Sequence, residues 1–363
     1  MRSLSARRPD LRFVGVGGPK MEAAGARILF PMDKLAVRGY VEVLRHYWEI
    51  VGIRRRLRDY FVREQPALFI GVDAPDFNLD LELSLRKAGI PTVQYVAPAV
   101  WAWRRERMDK VKRAVSLLLT IYPFETRIYR EGGVPVAYVG HPLADLLEHL
   151  PTMEAVREEL RVPLGVPVMA LLPGSRVSEL EHMAELFVRT AVKVSETVPE
   201  MRFLVPFATR ETKLLFEAAL ARVQPQDLNL KTLIGHSLEA MAAADVVLVA
   251  SGTASLEAAL LKRPMVITYR MPRLSWWIMQ RRAYLPHAGM PNILAGETIV
   301  PELLQDDATP EKLAAALVTL LREEDGRAKL DARFESIRST LRQNTEEKAA
   351  QAIMPLLSRA RAA

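Results

Sequence analysis

Two series of short apolar or β-branched runs, each run followed by a longer helix-forming stretch, constrain this chain more than any other feature. The first series is LRFVGV (11–16), ALFIGV (67–72), TVQYV (92–96), VSLLLTI (115–121) and VAYVG (136–140). Beyond the proline-containing stretch 151–167 a second begins: VMALL (168–172), RFLVPF (202–207), LNLKTLI (228–234), DVVLVA (245–250) and PMVITY (264–269). Strands separated by helical patterns need crossover connections, and crossovers make sheets parallel. With 363 residues the chain is too long for one compact core. The pattern predicts an α/β protein of two doubly wound, Rossmann-like parallel-sheet domains facing a cleft.

One segment is ambiguous. LDLELSL (79–85) alternates like a strand, but its Leu, Glu, Arg, Lys and Ala content up to Gly89 favours a helix stopped by that glycine.

Charge and composition narrow the function. A net charge of +7 favours an anionic partner, whether nucleic acid, a phospholipid surface or a phosphorylated small molecule. No nucleic-acid module accompanies the charge, so nucleic acid is not expected as a partner. The absence of cysteine removes disulfides, thiolate chemistry and Cys-based metal sites. The basic start MRSLSARRPD has no apolar core for a signal peptide, and no apolar run is long enough to span a bilayer.

The chemistry-bearing residues cluster where strands end. GVDAPDFN (71–78) sets Asp73 at the end of a buried run, where a carboxylate is expensive unless it has a task. It reads either as a capping or turn residue or as a general base, with Asp76 and Asn78 suited to capping. LLPGSR (171–176) runs from a strand through Gly174 and Ser175 to a helix start, whose free amides suit an anion, with Arg176 adding charge. An ordinary turn with a surface arginine has the same appearance. ASGTASLE (250–257) repeats the arrangement: Ser251, Gly252 and Thr253 open a helix, and Glu257 lies one turn in, where it either meets sugar hydroxyls or complements the helix dipole. Two phosphate-compatible turns at the carboxyl ends of strands reinforce each other, since open α/β sheets bind ligands at that edge. Arg270 in TYRMP and Asn292 in MPNILAG are the polar groups of two further loops.

Other residues divide between packing and binding. His141 in GHPLAD suits an acceptor phosphate or a structural hydrogen bond, Trp101 and Trp103 suit sugar stacking or a core, and His182 suits the surface. The stretch 39–60 places Tyr47 and Trp48 beside Arg54, Arg55 and Arg56, a basic amphipathic pattern fitted to an anionic membrane or to its own sheet. LSWWIMQRRAYL (274–285), with Trp276 and Trp277, has similar composition.

Taken together, FVGVGGPKM (13–21), GVDAPDFN, VAPAVWAWR (96–104), VGHPLAD (139–145), LLPGSR, ASGTASLE and PNILAG (291–296) resemble the lipid-A-disaccharide synthases, glycosyltransferases of the GT-B fold class. The resemblance implies an acceptor-binding domain over 1–163, a UDP-sugar-binding domain over 164–338, and a last helix, 339–363, crossing back to the first domain. It implies transfer of 2,3-diacylglucosamine from UDP to the 6-hydroxyl of 2,3-diacylglucosamine 1-phosphate, with inversion to a β-1,6 disaccharide and release of UDP. On this resemblance Asp73 is the general base. Gly174, Ser175, Arg176, Ser251, Gly252, Thr253, Glu257 and Asn292 match the family's donor-side positions, Arg270 is a further donor-side candidate, and Trp103, Arg104 and His141 are acceptor-side candidates from their own loops. Since acylated substrates need an apolar dock, Tyr47, Trp48, Arg54, Arg55, Arg56, Trp276 and Trp277 are candidates for contact with the anionic inner membrane, where the protein is expected to sit peripherally from the cytoplasm. No metal or cofactor is implied, and a homodimer is left open. Rival readings are another UDP-sugar GT-B enzyme, such as a peptidoglycan glycosyltransferase or UDP-GlcNAc 2-epimerase, and a UDP-sugar-binding protein without turnover. Members of the family also carry a strand and a Gly-rich turn ahead of the equivalent of RFVGV. Without them, residues 1–363 are expected to bind UDP but transfer sugar poorly.

Overall fold

A computed structural model of the chain describes residues 1–35, 40–100, 107–147, 152–282 and 286–359. The backbone divides into two compact units, Met1–Asp145 with Leu341–Ala363, and Leu146–Thr340.

In the first unit the strands are β1 (Phe13–Gly17), β2 (Ala26–Pro31), β3 (Phe69–Val72), β4 (Thr92–Tyr95), β5 (Leu117–Thr120) and β6 (Val136–Tyr138). Among the helices are α1 (Arg2–Arg7), α2 (Pro19–Ala23), α3 (Tyr40–Glu64), α4 (Pro75–Lys87), α5 (Met108–Ala114), α6 (Pro123–Glu131) and α7 (Pro142–Leu146). Every strand pairing is parallel, as crossover helices require, but the strands form two sheets rather than one. β1 pairs only with β2, and β3-β4-β5-β6 make a separate four-stranded sheet. Side chains join what the ladder does not. Ile53, Leu57 and Phe61 of α3 share a cluster with Leu81 and Leu85 of α4, and Val14, Val16 and Phe30 of the small sheet pack against it.

The ambiguous segment 79–85 is helix. Proline at its first position starts α4, and Leu79, Leu81, Glu82 and Leu85 are buried along it. On the other face of the four-stranded sheet, Val93, Leu119 and Val139 pack against Ala350, Ile353 and Leu357 of the C-terminal helix Thr345–Arg359 and against Leu4 of α1. The first turn of that last helix is capped by Asp145, whose carboxylate accepts the main-chain N–H groups of Gln343, Asn344 and Thr345.

The second unit begins with α8 (Met153–Glu159) and holds one six-stranded parallel sheet of order β12-β11-β10-β7-β8-β9. Its strands are β7 (Val168–Leu172), β8 (Arg202–Phe207), β9 (Leu230–Ile234), β10 (Val246–Ala250), β11 (Met265–Tyr269) and β12 (Glu302–Leu304). Every residue of β7 and β10 is buried, as strands covered on both faces must be. The helices that matter for the site are α9 (Val177–Thr197), α10 (Arg210–Val223), α11 (Ser237–Ala243), α12 (Thr253–Leu260), α13 (Arg273–Arg282), α14 (Met290–Ala295) and α15 (Pro310–Arg322). Met183, Phe187, Ala191 and Val194 of α9 and Leu313 and Leu317 of α15 close one face of the sheet over Leu171, Phe203, Val205 and Leu248.

Residues 152–163, placed with the first half from sequence, group with the second unit. Buried Arg157 of α8 bonds the carbonyl of Ala243 at 2.9 Å and the carboxylate of Asp245 at 2.8 Å.

Candidate active site

In the first unit the polypeptide leaves β3 through Asp73 and Ala74, both left-handed at φ 48° and 42°. Non-glycine residues seldom adopt this conformation, so neighbouring bonds must hold it. The Asp73 N–H donates to the Tyr95 carbonyl at 2.9 Å. The Asp73 carbonyl accepts from Asn78 Nδ2 at 2.8 Å and Gln94 Nε2 at 2.9 Å. The carboxylate, by contrast, is exposed and bonds nothing among the described residues.

Capping therefore differs from the sequence expectation. The cap of α4 is Ala74, with no side-chain capping bond, because proline at the first position removes one donor that would need it. Asp76 pairs with Arg107 at 2.6 Å, and Asn78 turns inward to the strand-end carbonyls.

His141 is half-buried. Its Nδ1 accepts the Leu143 N–H at 3.2 Å and its ring lies 5.6 Å from that of Tyr122. Burial lowers its pKa to about 4, against an opposing pull from Asp145, so the imidazole is neutral at physiological pH. Trp103 and Arg104 lie outside the described residues.

In the second unit, β7 ends in the Pro173–Arg176 turn. Gly174 has φ 127°, and a Cβ there would lie 2.7 Å from Glu179 Cβ, so this position demands glycine. Glu179 was missed from sequence, although a carboxylate three residues after the cap is a known helix-start signal. Its Oε2 accepts the N–H groups of Ser175 and Arg176 at 2.8 and 3.2 Å, while its Oε1 pairs with Arg176 Nη1 at 2.9 Å. The amides expected to face a phosphate thus already hold a carboxylate, and Arg176 remains largely exposed.

The turn after β10 is open. Gly252 and Thr253 are exposed at the start of α12, and among the described residues beyond its chain neighbours no atom lies within 4 Å of where a Gly252 Cβ would stand. Ser251 Oγ is committed to the Ala288 carbonyl at 2.8 Å. Glu257 is partly buried without a hydrogen-bond partner among the described residues, and burial raises its pKa.

Arg270 follows β11 and donates to the carbonyls of Gln305 and Ala308 at 3.3 and 2.6 Å. With His182, Met271, Arg273 and Gln305 it lines a cavity of about 450 Å³. Asn292 does not present its amide as a cleft residue would. It is fully buried, with Nδ2 donating to Val300 and Glu302 at 2.9 and 2.7 Å. Its Oδ1 accepts from Ile299 and Val300. A buried amide must satisfy both ends, and here it does so by fixing the loop before β12.

Of the membrane candidates, Tyr47 and Trp48 are 48% and 76% exposed and meet edge to face. Arg55 and Arg56 are exposed, but Arg54 is not a free surface cation: it pairs with Asp80 of α4 at 2.8 Å. Trp277 is half-exposed under the Arg281 guanidinium, 3.8 Å from its ring centroid, and Trp276 is more covered. No helix among the described residues is long and apolar enough to cross a membrane.

Two α/β units built on parallel sheets, with polar turns at the carboxyl ends of their strands, fit the GT-B fold class. CalG4, the calicheamicin glycosyltransferase, aligns with a TM-score of 0.60 at 16% identity, covering 98% of this chain and 93% of its own. UDP-GlcNAc 2-epimerase from Neisseria meningitidis bound to UDP-GlcNAc aligns with a TM-score of 0.60 at 12% identity over 91% and 99% of the two chains. At such identities the likeness is one of fold.

The chain belongs to the lipid-A-disaccharide synthetase family, whose model matches residues 1–355. The lipid-A-disaccharide synthase of Methylobacillus flagellatus is 54% identical over 357 residues, 98% of this chain and 94% of the relative. That of an Azoarcus species is 53% identical over 358 residues, 99% and 92% of the two. Membership makes the chain a glycosyltransferase of lipid A disaccharide formation.

Proposed function

We propose that the chain moves 2,3-diacylglucosamine from UDP to the 6-hydroxyl of 2,3-diacylglucosamine 1-phosphate with inversion, forming the β-1,6 disaccharide 1-phosphate and UDP. The Asp73 carboxylate takes the proton of the attacking hydroxyl as its oxygen bonds to the anomeric carbon. The bond from that carbon to the UDP oxygen breaks on the opposite face, and its electron pair leaves with UDP.

The observation that carries this reading is the turn at Asp73. Three hydrogen bonds fix its backbone in an uncommon conformation while its carboxylate has no partner among the described residues. The neighbouring carboxylates differ: Asp76 and Asp80 pair with cations, and Asp145 caps a helix.

On the donor side, the open start of α12 at Gly252 and Thr253 receives the diphosphate and Glu257 a sugar hydroxyl. Arg176 turns from Glu179 to phosphate, and Arg270 and Ser251 shape the neighbouring loops. Neutral His141 offers a hydrogen bond to the acceptor, as do Trp103 and Arg104 on the family resemblance. The exposed Tyr47, Trp48, Arg55 and Arg56, with Trp276 and Trp277, rest on the anionic inner membrane, from which acylated substrates arrive. This places the protein peripherally, on the cytoplasmic face.

The test incubates the chain with UDP-2,3-diacylglucosamine and 2,3-diacylglucosamine 1-phosphate. Disaccharide 1-phosphate and UDP in equal amounts support the proposal. A free sugar epimer, or UDP-sugar binding with no product, would replace it with one of the rival readings.

A further inference from the structure

Beneath the Asp73 turn lies a polar pair that the transfer reaction does not explain. Glu82 of α4 is fully buried, and neither carboxylate oxygen has a hydrogen-bond partner among the described residues. Gln94 of β4 is equally buried. Its Nε2 donates to the carbonyls of Asp73 at 2.9 Å and Val96 at 3.1 Å, and its Oε1 is also unpartnered. The two bare oxygens converge over Gly71. A Cβ at that glycine would lie 2.4 Å from Glu82 Oε1 and 2.7 Å from Gln94 Oε1, so no other residue leaves room for the pair.

The amide cannot be turned to relieve the conflict, because a flip would set its oxygen against main-chain carbonyls. A carboxylate facing that oxygen would bury an unpaired charge against an acceptor. One proton resolves both problems. Among the described residues no cation pairs with it instead: Arg54 of α3 and Lys110 of α5 pair with Asp80, Arg107 pairs with Asp76, and Arg86 bonds the Val115 carbonyl. Burial acts in the same direction and raises the Glu82 pKa to about 8, with no charged neighbour among its causes.

We propose that Glu82 is a positioning residue, a neutral carboxylic acid whose O–H donates to Gln94 Oε1 and locks the Gln94 amide against the Asp73 carbonyl. The lock holds the left-handed turn that presents the Asp73 carboxylate. Loss of the Glu82 proton sets a carboxylate against the amide oxygen and releases the turn. The inference rests on Asp73 acting as the base.

The experiment measures kcat against pH for the parent, Glu82→Gln, Glu82→Leu and Asp73→Asn, with UDP affinity and thermal unfolding recorded for each. The parent is expected to lose kcat as pH rises through about 8. Glu82→Gln, which keeps a donor but cannot ionise, retains turnover and lacks that alkaline fall. Glu82→Leu, which has no donor, binds UDP normally but loses kcat by about 10–100-fold. Infrared difference spectra between parent and Glu82→Gln should show a carboxylic-acid C=O band at neutral pH that disappears at alkaline pH. An unchanged alkaline fall in Glu82→Gln, or no such band, overturns the proposal. If Glu82→Leu does not fold, the Gln variant and the infrared band still decide. If Asp73→Asn keeps turnover, the base reading is what has failed, and the band decides the state of Glu82 separately.

Discussion

At the scale of single residues, the site separates side chains held for chemistry from side chains spent on structure. Arg176 shows the difference in energetic terms. Its guanidinium is exposed and bound only to Glu179, an i,i+3 surface pair of little intrinsic worth. Arg176→Ala should therefore leave stability nearly unchanged while weakening UDP binding by about 1.5–3 kcal/mol, the loss of one charged hydrogen bond, read by calorimetry. Unchanged affinity would remove it from the donor site. Gly174→Ala should do the opposite, lowering the unfolding temperature before any ligand is added. The new methyl group meets Glu179 Cβ at 2.7 Å, and φ 127° costs a side chain about 1–3 kcal/mol. Glu82 yields a stability signature of its own. Between the ordinary 4.5 and about 8, the folded chain keeps a proton that the unfolded chain has released. Its stabilising contribution is full below that window and is lost as pH rises through it, by about 1.4 kcal/mol per pH unit. Denaturation of parent and Glu82→Gln at several pH values should show this slope in the parent and its absence in the variant. Much of this was legible in sequence as positions but not as roles. The motifs located Asp73, Gly174, Arg176 and Glu257, yet nothing local in PNILAG distinguishes a ligand-facing Asn292 from a buried one that makes four hydrogen bonds to Ile299, Val300 and Glu302. Glu82 and Gln94 were invisible for the same reason, since their meeting over Gly71 is made by three separate elements.

At the scale of elements, periodicity located what was long and apolar and missed what was short. β7 and β10 are fully buried runs and announce themselves. β2 (ARILFP) is broken by an arginine and ends in proline, and β12 is three residues long, so neither carries a pattern that stands out from loop. The alternating segment 79–85 became helix because length, proline at the first position and the glycine stop outweigh a short alternation. Helix α3 carries two faces. Val51, Ile53, Leu57 and Phe61 are buried, while Trp48, Arg55 and Arg56 face outward. Replacing Trp48 with Ser, and Arg55 and Arg56 with Gln, should reduce sedimentation with anionic vesicles without lowering the unfolding temperature. Equal sedimentation of variant and parent would remove this face from the membrane contact. Arg54 is left out of that test because its change would break the pair with Asp80.

At the scale of the whole molecule, sequence pattern captured the parallel α/β architecture and its two halves, because crossover topology is written in the alternation of strand and helix. It did not capture how the first-half strands divide between two sheets, which depends on ladder hydrogen bonds that no residue pattern specifies. The central claim is that Asp73 is the base of the transfer, and Asp73→Asn tests it most directly. The substitution preserves size and leaves the main-chain bonds of the turn in place. The decisive measurement is the rate of disaccharide 1-phosphate formation by parent and variant under saturating substrates, with UDP affinity measured on the same preparations. If Asp73 is the base, UDP affinity is unchanged and turnover falls by about 10²–10⁴-fold. Near-parental turnover in Asp73→Asn would contradict it.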